Sequence, residues 1–174
     1  MSIKKILTLP DPILRKESVL VEKVNDEIRK LLDDMLETMY AAPGIGLAAV
    51  QIGVLKRVIV MDMSKKDEKK NPYFIINPKI ISKSKELASY EEGCLSIPNQ
   101  FAEVERPKKC IIQFLDYDGK KQELNAEGLL ATCIQHEIDH LNGILFIDYL
   151  SKLKKDLILK KAEKKKKEIN RVIV

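Results

Sequence analysis

The stretch IQHEIDHLNG, residues 134–143, holds both histidines of this 174-residue chain. His136 and His140 stand four apart with Glu137 between them, inside a proline-free run from Ala126 to about Leu141 that also places Leu129, Leu130 and Cys133 at helical spacing. Residues four apart share one face of an α-helix, so both imidazoles can point at a single ion. Glu137 is turned about 100° from His136 around the axis. That placing suits a base beside a metal-held water better than a third ligand on the same face. Two satisfied histidines on a core-facing helix are the plainer alternative, but gathering every imidazole of the chain on one turn favours the metal.

A catalytic metal site needs a third ligand and an open position. Cys133 shares the histidine face, yet an ion centred near residue 138 would lie about 7.5 Å along the axis from it, too far for a cysteine side chain and a metal–sulfur bond of about 2.3 Å. Cys133 therefore reads as a small lining residue. Cys110 lies in an alternating, strand-like segment and suits the core. Cys94, in EEGCLSIPN between Gly93 and Pro98, sits where irregular backbone can present a thiolate to a distant helix. By spacing alone it is the best of three candidates. The long zinc-peptidase pattern is not met, because Phe146 stands where its third histidine belongs, and Glu163 or Glu168 would have to serve from inside a lysine run.

Around this segment the pattern is α+β, with mixed or antiparallel strands around a central metal-binding helix and further helices toward each end. Asn25 is a fitting N-cap for a helix carrying Ile28, Leu31, Leu32, Met35, Leu36 and Met39, which should stop before APGIG at 42–46. RVIVMD (57–62) reads as a buried strand, KKDEKKN (65–71) as a polar loop, and YFIINPKIISKS (73–84) as two short strands interrupted by Pro78. CIIQFLDYDGKKQELNA (110–126) reads as a hairpin turning on the pair Asp118-Gly119. ILFIDYL (144–150) is an apolar connector, and residues 152–170 form a Lys-rich closing helix with Leu153 and Leu157 packing on the body. Residues 1–150 are expected to be one catalytic domain and 151–174 an extension.

Composition narrows the class. No apolar run approaches the roughly 18 residues of a membrane span, and MSIKKILTLPDPIL is cut by Pro10 before it could act as a signal peptide. The expectation is a cytoplasmic protein without membrane partners, its three cysteines free thiols or metal ligands. The net charge of +5 is uneven: the last 24 residues hold ten basic against three acidic side chains, a net of +7, which leaves −2 for the rest. The body is no basic nucleic-acid binder, and DNA is not expected as a partner.

Three segments together resemble the peptide deformylases: GIGLAAVQIG (44–53), EEGCLSIP (91–98) and QHEIDHLNG (135–143), in that order and with compatible separations. The resemblance implies a cytoplasmic hydrolase that removes the N-formyl group from the formylmethionine of nascent proteins, releasing formate. It implies that Cys94, His136 and His140 hold one divalent ion, most often ferrous iron, with zinc, nickel or cobalt able to take the site. Softness and geometry alone would suggest zinc. The ion would acidify a water, Glu137 would carry its proton, and the Gln51 side-chain amide and Leu95 backbone N–H would stabilise the oxyanion. The peptide substrate would lie along Gly44 and Gly46 as an added strand. Ile45, Leu129 and Cys133 are expected to line an apolar pocket for the methionine side chain. Glu92 would support a metal ligand, with Arg106 as its partner.

Departures from the family pattern are small: Val50 falls at a variable position, and Phe101 stands where many relatives carry a basic residue. Two rival classes are a metallopeptidase acting on unformylated peptides and a basic RNA-binding protein with a structural metal. The lysine-rich tail is either a solvated helix with an apolar stripe or, as in such bacterial enzymes, a helix that meets the ribosome.

Overall fold

The structure, a computed structural model, describes the backbone of residues 1–172 and side chains as far as Ile169. The last two positions of the expected extension, 173–174, lie outside the described residues. The first long element, α1 (Asp26–Ala41), starts as expected: the Asn25 side chain accepts a hydrogen bond from the Ile28 N–H. Its face of Ile28, Leu32, Met35 and Met39 is buried.

Five strands form one antiparallel sheet: β1 (Gly46–Ala48), β2 (Val58–Met61), β3 (Tyr73–Lys83), β6 (Lys109–Leu115) and β7 (Lys121–Glu127), in spatial order β1-β2-β3-β6-β7. Side chains alternate across a strand, and β2 is buried on both faces. Val58 and Val60 join the α1 core, whereas Ile59 and Met61 pack with Ile134, Ile138 and Leu141 of α2 (Gly128–Leu141). The sheet therefore lies between α1 and the histidine helix, which gives the α+β fold expected.

A separate antiparallel hairpin, β4 (Leu87–Cys94) and β5 (Ile97–Pro107), closes over α2. The irregular backbone expected around Cys94 is confined to the hairpin tip, where the register slips between Gly93 and Cys94. A third apolar cluster joins Leu9 and Leu14 to Ile97, Val104, Phe146 and Ile158. Through it the hairpin, the N-terminal segment and the closing helix α3 (Lys152–Val172) meet.

Four expectations need correction. Pro78 does not divide its segment: β3 runs through it, and Asn77 at φ 52° with a register shift absorbs the missing donor as a bulge. The β6–β7 turn is longer than a two-residue turn. Asp116 and Lys120 are bonded across it, and Gly119 takes the positive φ of 79°. The helix reading from Ala126 began too early, since Ala126 and Glu127 still belong to β7. Finally, Leu153 and Leu157 do not pack on the body; they are 72% and 50% exposed, and Ile158 with Leu159 and Ala162 makes that contact. The helix is rotated so that its apolar stripe runs through Ile158 rather than Leu157.

Candidate metal centre

Three ligand-type atoms, from Cys94, His136 and His140, lie within 4.8 Å of one another. They come from two elements far apart in sequence: α2 supplies the histidines, and the register slip at the tip of β4 turns Cys94 toward them. The Cys94 Sγ is 3.3 Å from His140 Nε2. His136 uses Nδ1 for a 2.8 Å hydrogen bond with Glu92 Oε1, which leaves Nε2 for the cluster. A thiol and two imidazoles held this closely, with no fourth ligand grouped with them among the described residues, fit a tetrahedral divalent site with one open position. Cys133 is not in the group, in keeping with the helical-rise argument, and its Sγ lies near the Ile45 carbonyl instead.

Burial sets the protonation behaviour. Burial disfavours a charge on His136, but hydrogen bonds with Cys94 and Glu92 outweigh it and hold its pKa well above the usual value. His140 goes the other way, driven well below by burial and by His136 beside it. Cation binding requires a thiolate and neutral imidazoles, so it releases protons. Glu137 is 4% exposed, and its Oε2 has no hydrogen-bond partner. Burial pushes its pKa up to about 7, with the His136 charge opposing and the Glu92 charge reinforcing that rise. The other oxygen abuts β1, where a Cβ on Gly46 would lie 2.5 Å from it, so a larger residue at that position would displace the Glu137 carboxylate.

Glu92 is held by a buried network. Arg106 donates from Nε and Nη2 to its two oxygens at 2.6 and 3.0 Å. Burial raises the Glu92 pKa, but the hydrogen bonds from His136 and Arg106 bring it below the ordinary carboxylate value. The network extends further than the sequence reading had it. Arg106 Nη1 donates to Asp139 at 2.8 Å, the Tyr149 hydroxyl donates to the same carboxylate at 2.7 Å, and the guanidinium lies 4.6 Å from the Tyr149 ring centroid. Asp139 and Tyr149 were not singled out because they meet Arg106 only in space. The one available signal is an aspartate directly before His140 of the clustered pair.

Gln51 is 1% exposed and works at both ends of its amide. Oε1 accepts from the Ala48 N–H at 2.9 Å, while Nε2 faces the Ser96 hydroxyl at 3.0 Å and Cys94 Sγ at 3.6 Å. It thus caps backbone and also points its donor at the metal-type cluster. Ser96, fully buried at the hairpin tip, was not anticipated. The residues expected around the substrate gather in one place: Gly44, Ile45, Gly46, Leu95, Leu129 and Cys133 line a cavity of about 470 Å³ together with Cys94, His136 and Glu137. Leu95 lies against Gly44, where a Cβ would meet its Cδ1 at 2.7 Å.

Comparison with known proteins agrees with this geometry. The family described as polypeptide deformylase matches residues 3–156. A peptide deformylase of Pelagibacter ubique is 63% identical over 174 residues, covering all of both chains. One of Rhizobium meliloti is 58% identical over 164 residues, 94% of each. The crystal structure of the peptide deformylase from Ehrlichia chaffeensis superimposes with a TM-score of 0.90 at 48% identity, covering 96% of this chain and 98% of that one. A second structure from that organism, in complex with actinonin, gives a TM-score of 0.90 at 50% identity, covering 95% of this chain and 98% of that one. With the sequence match, the superposition and the three motifs in agreement, this chain belongs to the polypeptide deformylase family.

Proposed function

We propose that Cys94, His136 and His140 hold one divalent metal ion, and that Glu137 moves the proton when the N-formyl amide of a formylmethionyl peptide is hydrolysed to formate and a free amine. The observation that carries this reading is the cluster of three ligand atoms within 4.8 Å beside a buried carboxylate with one unpartnered oxygen. When bound, the ion supplies Lewis acidity that lowers the pKa of water. Glu137, poised at about 7, accepts the proton as water oxygen adds to the formyl carbon, and returns it to the nitrogen as the C–N bond breaks. Gln51 Nε2 and the Leu95 N–H stabilise the oxyanion, each worth about 3–4 kcal/mol. The network of Glu92 and Arg106 keeps the His136 ring in place with Nε2 aimed at the site.

Among the described residues the edge strand β1 pairs with β2 alone, which leaves its other edge for a peptide added along Gly44 and Gly46. Ile45, Leu129 and Cys133 then receive the methionine side chain. Ferrous iron is the favoured ion, with zinc, nickel or cobalt as substitutes. Residues 1–150 carry the chemistry. The extension at 151–174 projects exposed lysines suited to ribosomal RNA, and the reading places the enzyme in the cytoplasm, where formylated chains are made. No helix among the described residues is long and apolar enough to cross a membrane.

The test is formate release from a formyl-methionyl tripeptide by protein purified without oxygen and loaded with ferrous iron, beside the same peptide lacking the formyl group. Formate release with no cleavage of the unformylated peptide is the expected result. Peptide-bond cleavage of the unformylated peptide, or no turnover in protein holding one ion, would overturn the reading.

A further inference from the structure

The segment Gly44–Gly46, along which the peptide is proposed to lie, is held from two sides. The Gly44 N–H donates to the Met39 carbonyl at 3.0 Å, near the end of α1, and the Ile45 carbonyl accepts from the Asp62 N–H at 3.0 Å, just past β2. Between these supports the segment touches two residues of the proposed machinery. Gly46 lies against the Glu137 carboxylate and Gly44 against the Leu95 side chain, where added Cβ atoms would fall 2.5 and 2.7 Å from them.

The two supports are themselves joined. Tyr40, the neighbour of Met39, donates its hydroxyl to the Asp62 carboxylate at 2.5 Å. Asp62 is 3% exposed. The Ser64 N–H at 2.8 Å, the Asn71 N–H at 3.2 Å and the Ser64 hydroxyl donate to it as well. Burial raises its pKa, but the hydrogen bonds from Ser64 and Tyr40 bring it below the ordinary carboxylate value, so the anion gathers these donors. A buried carboxylate with charge-assisted bonds is harder to displace than one backbone bond at a strand end. Asp62 is therefore the fixed point and the strand the dependent part. Lys70 lies 4.8 Å from the centroid of the Tyr40 ring and brings the polar loop over it. Neither Tyr40 nor Asp62 lines the cavity.

Resting on the deformylase reading, we propose that Tyr40 and Asp62 are positioning residues: their hydrogen bond ties α1 to the exit of β2 and so sets where Gly44–Gly46 places the peptide relative to the metal-type cluster and Glu137. The pair does not touch the substrate; it acts through the backbone bonds of Met39 and Asp62. A small displacement of the strand carries the bound peptide with it. The peptide still binds, but its formyl carbon arrives out of line with Glu137, so the cost falls on kcat rather than KM.

The chain has seven glycines, so protein labelled with nitrogen-15 at glycine alone gives seven backbone amide signals. They are read in the zinc-loaded full chain, zinc having no unpaired electrons, and kinetics are measured on formyl-Met-Ala-Ala per bound ferrous ion. Tyr40→Phe keeps the ring and removes the bond. It should shift the Gly44 and Gly46 signals most and lower kcat about tenfold, with KM within about twofold of wild type. Asp62→Asn, which keeps the shape and removes the charge, should act in the same direction. Tyr117→Phe is the matched control: it removes a tyrosine hydroxyl bond of 3.1 Å to Asp33 of the same helix, away from the cavity. It should lower Tm while leaving the glycine signals and kcat at their wild-type values. Either readout unmoved in both Tyr40→Phe and Asp62→Asn, or an equal loss of kcat in Tyr117→Phe, overturns the inference. Absence of turnover by the wild type, in protein holding its ion, would overturn the deformylase reading itself and this inference with it.

Discussion

Ten of the fourteen residues of α2 are buried, among them His136, Glu137 and His140, whereas Ile158 alone is buried among the described side chains of α3. The two helices therefore use polar residues under opposite conditions. In α2 most polar groups are shielded from water and answered by particular partners, as Glu92 answers the buried His136 and Arg106 the half-buried Asp139. In α3 the lysines other than Lys155, which binds Asp148, are solvated, and removing one of these changes little in the fold. A buried polar group has a specific role and is expensive to disturb; a fully solvated lysine acts chiefly on what lies outside the molecule.

Arg106→Leu should give the largest loss of stability. It leaves the Glu92 carboxylate buried without its cation, which costs about 3–5 kcal/mol in comparable sites and should appear as a large drop in Tm. A variant melting with the wild type would break the contrast. Asp139→Asn is milder, because Arg106 keeps Glu92. Chelator extraction of the ion should speed up by about tenfold with a smaller change in Tm, and Tyr149→Phe should lie between it and wild type. Equal metal retention in all three proteins would remove Asp139 and Tyr149 from the support of His136.

A prediction that joins the helices concerns Asp148, which binds Arg15 at 2.6 Å and Lys155 of α3 at 2.8 Å. Burial raises its pKa, but hydrogen bonds from Arg15 and Lys155 bring it down to about 2 from the usual 3.8. A depressed folded-state pKa contributes stability that is present above pH 3.8 and lost as pH falls toward 2. Asp148→Asn should thus melt below wild type at neutral pH, and the gap should close between about pH 4 and pH 2. A gap independent of pH would assign the effect to packing rather than charge. The smallest effect on the fold belongs to the four lysines at 164–167. Replacing all by serine should leave Tm unchanged while reducing co-sedimentation with ribosomes at low salt; unchanged co-sedimentation would leave α3 as a solvated face only.

What could be read from the sequence follows the same divide. The His136–Glu137–His140 turn, the Asn25 cap and strand β2 announce themselves through local spacing, which is where one-dimensional patterns carry information. The β4–β5 hairpin does not. One face is solvated and rich in charge, its tip is Leu95-Ser96 rather than a glycine-containing turn pair, and Pro98 and Pro107 suggest breaks. Cys94 enters the proposed ligand set through the family resemblance, because the register slip that aims it at α2 has no linear signature. Asp139 and Tyr149 escaped for the same reason, since their role exists only once Arg106 arrives from β5. The Leu153 and Leu157 stripe failed because a lysine-rich helix with scattered aliphatics admits more than one packing face, and tertiary contact with Phe146 and Ile97 selected Ile158.

The most direct test of the account is Glu137→Gln, a change that keeps shape and removes the proton carrier. The variant should retain one ion per chain and the wild-type fold, and lose about 10²- to 10⁴-fold in formate release. Turnover within a few-fold of wild type, with the ion in place, would contradict the role of Glu137 and the mechanism built on it.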